Sequence, residues 1–281
     1  MTVTEARELG IAWLGRNPDL QQRSRADATL LLLHALQCSR AHLLAQPERI
    51  LLPDEERVYR EHLHERADGR PIQYITGEQE FWGLPFSVTP DVLIPRPETE
   101  HLVEAAIERL RAHPAPRIVD VGTGSGAIAV ALAHALPQAQ ITALDISEAA
   151  LSVAQKNAAR HRVAERIRWL HSDLLNGVLQ ENFDAVISNP PYIAEAERST
   201  LSSEVRDFEP SLALFAGPTG VEIYERLIPQ ASRMLLPGGW LLLEMGHTQQ
   251  PAIEKLLAGW QQIAFVPDLQ GIPRVVVAHK A

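Results

Sequence analysis

The fold of this chain is decided by a short glycine-rich stretch, residues 119–126, which reads Val-Asp-Val-Gly-Thr-Gly-Ser-Gly. Apolar residues before it predict a buried strand over residues 117–121, and those after it predict a helix over residues 126–136. Glycines are needed between the two because they allow positive φ angles and let a ligand approach the backbone closely. The stretch therefore predicts a strand, a ligand-binding turn and a helix.

Predicted strands and helices alternate along the chain around this stretch. Further strands are predicted at residues 140–144, 167–170, 183–188, 240–244, 263–266 and 275–277. Further helices are predicted at residues 97–111, 148–160, 221–236 and 251–257, with an irregular segment at 193–218. This alternation predicts an α/β fold with a doubly wound, mostly parallel sheet. Ligands of such sheets bind beyond the carboxyl ends of the strands.

Acidic side chains follow the next two predicted strands. Asp145 is placed to accept both hydroxyls of a ribose. Asp173 can accept a hydrogen bond from an adenine amino group, with Leu174 packed on the ring; a solvated strand-end acid is the alternative for Asp173. With the glycines, these residues predict a nucleoside cofactor. The predicted cofactor-binding residues so far are Gly122, Thr123, Gly124, Ser125, Gly126, Asp145, Asp173 and Leu174.

Two cofactors are compatible with the glycine-rich stretch. Gly122, Gly124 and Ala127 match the dinucleotide fingerprint, which allows alanine at its last position. Asp120, however, lies two residues before the first glycine, and a carboxylate beside a pyrophosphate is unfavourable. Beside the sulfonium and ammonium groups of S-adenosylmethionine it is favourable, since opposite charges at about 4 Å gain roughly 1–4 kcal/mol. The sequence favours S-adenosylmethionine and leaves an NAD-dependent oxidoreductase as the alternative.

Residues 189–192, Asn-Pro-Pro-Tyr, follow a predicted strand and offer hydrogen-bond acceptors without competing donors. Pro190 and Pro191 have no backbone N–H group, so their stiff turn presents carbonyl oxygens. Asn189 adds the oxygen of its side-chain amide. Such a site can accept both hydrogens of a planar NH2 group, with Tyr192 stacked on its plane. A rigid strand-to-loop turn without a ligand is the alternative.

Composition narrows the class of protein. The chain has 281 residues, 46% of them hydrophobic, and a net charge of −9, which argues against stable binding to a long nucleic-acid backbone. It has no run of 18 apolar residues and no signal-like N-terminus, so we expect a cytoplasmic protein without a membrane span. Cys38 is the single cysteine, which excludes an internal disulfide and a cysteine-based zinc site. No spacing of histidines and acids indicates a metal.

The first part of the chain has a different pattern. Residues 1–75 read as four short amphipathic helices, which predicts a small helical bundle. A capping-box pattern from Ser24 to Asp27 is expected to begin one of them. Residues 76–95 combine aromatic and β-branched residues with glycine and proline, which predicts a β-hairpin linker. The remaining residues, 96–281, carry the alternating pattern.

Three further segments strengthen a resemblance to a known family. They read PIQYITG followed by EFWG at residues 71–83, LIPRPETE at 93–100 and VRDFEP at 205–210. With the glycine-rich stretch, the following acid and the Asn-Pro-Pro-Tyr loop, they are similar to the HemK-type (PrmC) glutamine methyltransferases of peptide chain release factors. The glycine-rich stretch and the loop alone resemble class I S-adenosylmethionine-dependent methyltransferases that act on a planar amide or an exocyclic amine.

The resemblance implies a Rossmann-like methyltransferase domain with an N-terminal helical bundle and a β-hairpin linker. It implies methylation of the side-chain nitrogen, N5, of the glutamine in the Gly-Gly-Gln motif of class I peptide chain release factors. S-adenosyl-L-methionine would be the cofactor and S-adenosyl-L-homocysteine the product, without a metal. The helical domain would help to dock the release factor, and a monomer is expected. The alternatives are glutamine methylation of a large-subunit ribosomal protein, adenine-N6 methylation of nucleic acid, and a catalytically idle binding module.

We expect the Asn-Pro-Pro-Tyr loop to carry the chemistry. Asn189 Oδ1 and the Pro190 carbonyl oxygen would accept the two N–H bonds of the glutamine amide, and Tyr192 would fix its plane. Asn189, Pro190 and Tyr192 are therefore the predicted catalytic residues; Pro191 completes the substrate site, and Asn189 also faces the cofactor. Glu244 is assigned a structural role.

Overall fold

The computed structural model describes residues 1–281 and divides into two compact units. The first comprises Met1–Gly77 and Ser203–Phe208. The second comprises Glu78–Ser202 and Glu209–Ala281. None of the helices combines the length and the hydrophobicity that crossing a membrane requires.

The first unit is helical, as predicted. Its first helices are α1 (Val3–Leu14), α2 (Ser24–Leu36), α3 (Arg40–Ala45), α4 (Pro53–Ala67) and α5 (Ile72–Thr76). The side chain of Thr2 accepts a hydrogen bond from the backbone of Glu5, and the Glu5 carboxylate accepts one from Thr2 in return, which caps α1. The helices bury one apolar cluster that includes Leu31, Leu32 and Leu63. Residues 1–77 contain five helices where four were expected in residues 1–75.

The capping box predicted at Ser24 is wrong. The hydroxyl of Ser24 donates to the carbonyl oxygen of Gln21 at 2.9 Å, and α2 begins without a side-chain cap. The carboxylate of Asp27 accepts a hydrogen bond from Nε of Arg66 at 2.8 Å instead. Hydrogen bonds between charged groups are roughly twice as strong as neutral ones. The carboxylate of Asp27 therefore pairs with Arg66 and does not cap the start of α2, as the local pattern had predicted it would.

Arg66 is the largest fully buried side chain of the protein, and each of its three nitrogen atoms has a partner. Besides Asp27, it donates to Oε1 of Glu204 at 2.6 Å and to the carbonyl oxygen of Arg70 at 2.9 Å. Glu204 lies in the segment Ser203–Phe208, so this ion pair holds a distant piece of the chain in the first unit. A buried guanidinium is tolerated because each of its nitrogen atoms donates a hydrogen bond and two carboxylates balance its charge.

The second unit contains all eleven strands. The strands are β1 (Glu78–Phe81), β2 (Leu84–Ser87), β3 (Arg117–Val121), β4 (Gln140–Asp145), β5 (Ile167–His171), β6 (Phe183–Ser188), β7 (Ile193–Ala194), β8 (Phe215–Gly217), β9 (Leu235–Glu244), β10 (Gln261–Pro267) and β11 (Pro273–His279). The helices after α5 are α6 (Glu100–Leu110), α7 (Ala127–Ala135), α8 (Glu148–Arg160), α9 (Ser203–Phe208, in the first unit), α10 (Ser211–Leu214), α11 (Glu222–Met234) and α12 (Gln250–Leu256).

Seven strands form one sheet, in the order β10-β11-β9-β6-β3-β4-β5. The five strands from β9 to β5 pair in parallel, and β11 and β10 continue the sheet antiparallel. Side chains alternate between the two faces of a strand. Ile118 of β3 thus packs with α6 and α7 on one face, and Val119 packs with α11 and α12 on the other. The predicted doubly wound, mostly parallel sheet is confirmed.

The hairpin β1–β2 turns at Trp82 and Gly83. Both residues have positive φ angles, +56° and +69°, as a two-residue turn between twisted strands requires. Asn157 of α8 makes two hydrogen bonds to the hairpin and a third to Ser125. Its Oδ1 accepts from the Ser87 backbone at 2.8 Å, and its Nδ2 donates to the carbonyl oxygens of Ser87 and Ser125 at 3.0 and 2.9 Å. The hairpin is thereby tied to the end of the glycine-rich stretch.

Two segments differ from the prediction. Residues 193–218, expected to be irregular, contain β7, α9, α10 and β8. β9 begins at Leu235 rather than at residue 240, so it includes Gly238 and Gly239, which lie between the predicted helix and the predicted strand. Lys280 supplies partners there: its carbonyl oxygen accepts from the Gly238 backbone at 3.0 Å, and its backbone donates to Gly239 at 2.9 Å. Pairing with a remote segment overrides the local glycine signal.

Replacing Arg66 by alanine should strongly destabilise the first unit. The carboxylates of Asp27 and Glu204 would lose their buried partner, which typically costs about 3–5 kcal/mol. The matched control is Arg70→Ala, which removes an ion pair with Glu65 in which both side chains are more than one-third exposed and which should contribute less than about 1 kcal/mol. Urea unfolding of the full chain measures both variants. Equal losses of stability would contradict the importance of the buried network.

Candidate active site

The carboxyl ends of β3, β4, β5 and β6 meet beside a cavity of about 300 Å³, within the range of ligand pockets. The predicted site residues that line this cavity are Gly122, Gly124, Asp145, Asp173, Leu174, Asn189, Pro190 and Pro191. The predicted site residues that do not line it are Asp120, Thr123, Ser125, Gly126 and Tyr192. The parallel sheet thus brings together residues from four separate loops.

The glycines of the turn after β3 have positive φ angles: +73° at Gly122, +54° at Gly124 and +80° at Gly126. A Cβ atom at Gly122 or Gly124 would meet no atom within 4 Å, so the turn leaves open space beside the cavity. A Cβ atom at Gly126 would lie 3.0 Å from Cβ of Ala154. The first two glycines leave room for a ligand, and the third lets α7 and α8 pack closely.

Asp145 holds the glycine turn from the end of β4. Its Oδ2 accepts a hydrogen bond from the Gly124 backbone at 2.8 Å, and its Oδ1 accepts one from the Ser147 backbone at 2.9 Å. Burial raises the pKa of this carboxyl, and the backbone donors oppose the shift. Each carboxylate oxygen can accept more than one hydrogen bond, so Asp145 retains acceptor capacity toward the cavity.

Asp120 lies beneath the glycine turn and is completely buried. Its Oδ2 accepts a hydrogen bond from the Thr123 hydroxyl at 2.6 Å, while its Oδ1 has no partner. Burial raises the pKa of the Asp120 carboxyl to about 7, and the hydroxyl of Thr123 opposes this shift. That the Asp120 carboxylate attracts the cationic groups of the cofactor stays a prediction.

Asp173 is paired with Arg226 of α11, a residue that the sequence does not single out. The neighbouring Leu174 has a φ angle of +50°, which is uncommon for a residue with a side chain. The hydroxyl of Ser172 fixes this backbone: it donates to the Leu174 carbonyl oxygen at 2.8 Å and accepts from Gly177 at 2.8 Å. The left-handed backbone belongs to a residue of the cavity lining, where strained conformations often occur.

Asn189 and Pro190 present two oxygen atoms that accept no hydrogen bond from the protein: Asn189 Oδ1 and the Pro190 carbonyl oxygen. The preceding Ser188 donates its hydroxyl to the Val121 carbonyl oxygen at 2.6 Å, which fixes the start of the loop. The other end of the Asn189 amide, Nδ2, donates to Oγ1 of Thr99 at 3.1 Å. The two unused acceptors belong to residues that line the cavity.

Thr99 and Glu244 extend the contact of Asn189 into the protein interior. Oγ1 of Thr99 donates to Oε2 of Glu244 at 2.6 Å, and the two residues are only 5% and 2% exposed. Burial raises the pKa of the Glu244 carboxyl to about 7. Thr99 precedes α6 but makes no capping hydrogen bond to it. The sequence gives no local signal for this partner, because the predicted helix over residues 97–111 places Thr99 in its first turn.

Tyr192 lies at the rear of the loop. Its carbonyl oxygen accepts a hydrogen bond from Nε2 of Gln249 at 2.8 Å, and its ring packs against the core beneath α11 and α12. A Cβ atom at Gly246 would lie 3.4 Å from Cδ2 of this ring. Burial raises the pKa of the Tyr192 hydroxyl. Its stacking on a substrate amide remains a prediction, and Gln249 is a supporting residue without a local signal in the sequence.

The fold and the edge at which these residues meet are those of the class I methyltransferases. Residues 100–205 match the family model "Methyltransferase small domain", and residues 19–77 match "PrmC N-terminal domain". A release factor glutamine methyltransferase of Koribacter versatilis is 47% identical over 91% of this chain and 91% of its own length. That of Nitratidesulfovibrio vulgaris is 43% identical over 91% and 88%. The chain belongs to the release factor glutamine methyltransferases and is a protein-glutamine methyltransferase.

Solved structures support the same fold. The hMettl16 catalytic domain, solved with MAT2A 3′UTR hairpin 1, matches with a TM-score of 0.58 and 18% identity over 78% of this chain and 80% of that one. The T. thermophilus 16S rRNA N2 G1207 methyltransferase RsmC, solved with AdoMet and guanosine, matches with a TM-score of 0.53 and 21% identity over 73% and 50%. At this low identity, the likeness shows the fold alone.

Replacing Asp120 by asparagine should stabilise the protein more at pH 8 than at pH 5. In the folded protein Asp120 keeps its proton up to about pH 7, whereas an ordinary aspartate loses it near 3.8. The stability contributed by this proton is fully present below the lower value, falls as the pH rises between the two values, and is lost above the higher one. An asparagine side chain does not ionise, so the variant avoids this loss of stability. Thermal unfolding at both pH values measures the effect, and identical melting temperatures at pH 8 would contradict it.

Proposed function

We propose that this protein transfers a methyl group from S-adenosyl-L-methionine to N5 of the glutamine in the Gly-Gly-Gln motif of class I peptide chain release factors. The observation that carries the proposal is the pair of unused acceptors, Asn189 Oδ1 and the Pro190 carbonyl oxygen, on residues lining the cavity. A carboxamide NH2 group has two hydrogens to donate and matches two such acceptors. The names of the curated relatives point to the same substrate class.

The charges on the cavity lining favour a cationic cofactor. The charged residues that line it are Asp91, Asp145, Asp173 and Arg226. Because Arg226 is paired with Asp173, a pyrophosphate would meet carboxylates without a free cation. The sulfonium and ammonium groups of S-adenosylmethionine would instead be attracted. This supports S-adenosylmethionine over NAD, with S-adenosylhomocysteine as the product.

The residues that would hold the cofactor follow from their positions. Gly122 and Gly124 leave space for its methionine part beside the turn, and Asp145 would accept hydrogen bonds from the ribose hydroxyls. Leu174 would pack on the adenine ring, and Asp173 would accept from the adenine amino group. When bound, the cofactor supplies a methyl group that its positive sulfur already activates, so the chemistry requires no metal.

The protein's own task is to prepare a poor nucleophile, because the lone pair of an amide nitrogen is delocalised into its carbonyl group. Asn189 Oδ1 and the Pro190 carbonyl oxygen would accept the two N–H bonds and stabilise the positive charge that grows on nitrogen. Once the methyl–sulfur bond has broken, the methylated nitrogen would lose one of these protons to water. Pro191 keeps the loop stiff, and Tyr192 would fix the amide plane. Correct alignment of the reacting atoms can contribute roughly 7–11 kcal/mol in favourable cases.

The alternative functions receive less support. A flipped adenine in nucleic acid would bring phosphates toward a cavity rich in carboxylates, in a chain of net charge −9. Eight relatives of 40–47% identity are named for release factors. The first unit, which carries the match to the PrmC N-terminal domain, is proposed to help dock the release factor. We propose that the docking part of the chain comprises residues 1–75, the linker residues 76–95 and the catalytic part residues 96–281. We also propose that the protein is a monomer.

The direct test is mass spectrometry of a class I release factor incubated with this protein and S-adenosylmethionine. We expect a gain of one methyl group on the glutamine of the Gly-Gly-Gln peptide, and none on duplex DNA or ribosomal proteins offered in parallel. Asn189→Ala should reduce turnover roughly 100-fold, as when a group that stabilises transition-state charge is removed. Cofactor affinity should change far less. Unmodified release factor, or full activity of the variant, would refute the respective claim.

Replacing Asp145 by alanine should weaken binding of S-adenosylhomocysteine. Each hydrogen bond to a charged group contributes roughly 1.5–3 kcal/mol, so we expect the dissociation constant to rise about 10–100-fold. Isothermal titration calorimetry measures it. The control is Asp207→Ala, which removes an exposed acid paired only with its neighbour Arg206. An unchanged dissociation constant in the Asp145 variant would remove this residue from the cofactor site.

A further inference from the structure

We propose that Thr99 and Glu244 are positioning residues that determine which end of the Asn189 side-chain amide faces the acceptor glutamine. The inference rests on the proposed function of the loop and extends it to two residues that do not line the cavity. A continuous chain of hydrogen bonds carries it. Asn189 Nδ2 donates to Thr99 Oγ1 at 3.1 Å, and Thr99 Oγ1 donates to Glu244 Oε2 at 2.6 Å.

The direction of this chain follows from the acid at its end. An ionised carboxylate can only accept hydrogen bonds, so the single hydrogen of the Thr99 hydroxyl must point to Glu244. Toward Asn189, Thr99 then presents only lone pairs. Only the nitrogen end of the Asn189 amide can satisfy them, because the oxygen end would place two acceptors against each other.

The contact with Thr99 also determines which atom lies at the other end of the Asn189 amide. With Nδ2 turned to Thr99, Oδ1 is directed away from it and is free to accept. A flipped amide would offer N–H groups to a substrate that itself donates N–H groups, and the proposed acceptor pair would be lost. The two ends of an asparagine amide are nearly equal in shape, so packing alone does not distinguish them. The direction of the hydrogen bond between Asn189 and Thr99 distinguishes them.

Protonation of Glu244 should release this control. A neutral carboxyl can donate to Thr99, which lets the Thr99 hydrogen turn to Asn189 Oδ1 and permits the flipped amide. The pKa of Glu244 is raised to about 7 by burial and by the charge of Glu98, while Thr99, Arg274 and Asn189 oppose the rise. Turnover should therefore increase with pH through about 7 and level off above it.

The central test compares Thr99→Val with Thr99→Ser at pH 8. Valine keeps the shape of threonine but removes the hydroxyl, so kcat for release factor methylation should fall roughly tenfold, the effect of one lost hydrogen bond on orientation. Serine keeps the hydroxyl and should stay within about twofold of wild type. The dissociation constant of S-adenosylhomocysteine should stay constant in both. Full activity of Thr99→Val, with its fold intact by circular dichroism, would overturn the proposal.

A double-mutant cycle separates positioning from simple packing. Because Thr99 and Glu244 act on the same Asn189 amide, adding Glu244→Gln to Thr99→Val should slow the reaction less than the product of the two single losses. The single variants Thr99→Val and Glu244→Gln should each also lose the rise of kcat near pH 7. Additive losses, or an unchanged pH profile in Glu244→Gln, would show that the two residues act only through the stability of the fold.

Nuclear magnetic resonance tests the amide orientation without any substrate. The side-chain NH2 signals of Asn189, assigned by comparison with Asn189→Asp, should shift with pH around 7 in the wild type and not in Glu244→Gln. They should also move on Thr99→Val more than on Thr99→Ser. If the wild type does not methylate the release factor, the proposed function fails while this measurement still decides the orientation. Absence of any pH response would refute the positioning role.

Discussion

The parallel pairing of β3 with β4 on one side and β6 on the other is the constraint on which the site depends. Val121 lies opposite Leu144 in one pair and Ser188 in the other, so three strands end at the same level. Additional hydrogen bonds continue beyond the ladder: Gly122 and Thr123 donate to the Leu144 carbonyl oxygen at 2.8 and 2.9 Å. The cofactor turn and the acceptor loop therefore leave the sheet side by side.

Two buried acids lie close to this edge of the sheet. Burying either carboxyl group without a directly paired cation is unfavourable for folding. Asp120 and Glu244 are almost completely buried, and neither faces a cation that pairs with it directly. Burial raises the pKa of each carboxyl to about 7. Proteins retain such groups at functional sites more often than elsewhere. In this protein each acid meets a threonine hydroxyl, Thr123 or Thr99, which links it to one of the two loops beside the cavity.

Much of the architecture was predictable because it follows from local patterns. Periodic apolar residues and glycine or proline breaks locate the strands β3 to β6 and the helices α7 and α8 to within one or two residues. The Asn-Pro-Pro-Tyr loop was recognisable from residue types alone. Predictions failed or were incomplete where a distant partner intervened: Asp27 pairs with Arg66, and the glycines of β9 pair with Lys280. Spacing along the chain carries no information about such partners.

The sequence by itself determined the order of strands and helices, the family, and that the glycine turn and the Asn-Pro-Pro-Tyr loop both follow strands of the sheet. The tertiary structure decided how those residues are oriented: Asp145 under the turn at Gly124, Arg226 against Asp173, and Thr99 with Glu244 behind Asn189. The physical reason is the range of the interactions. Backbone conformation depends on neighbouring residues, whereas the direction of a buried hydrogen bond depends on donors and acceptors that only the folded chain brings together.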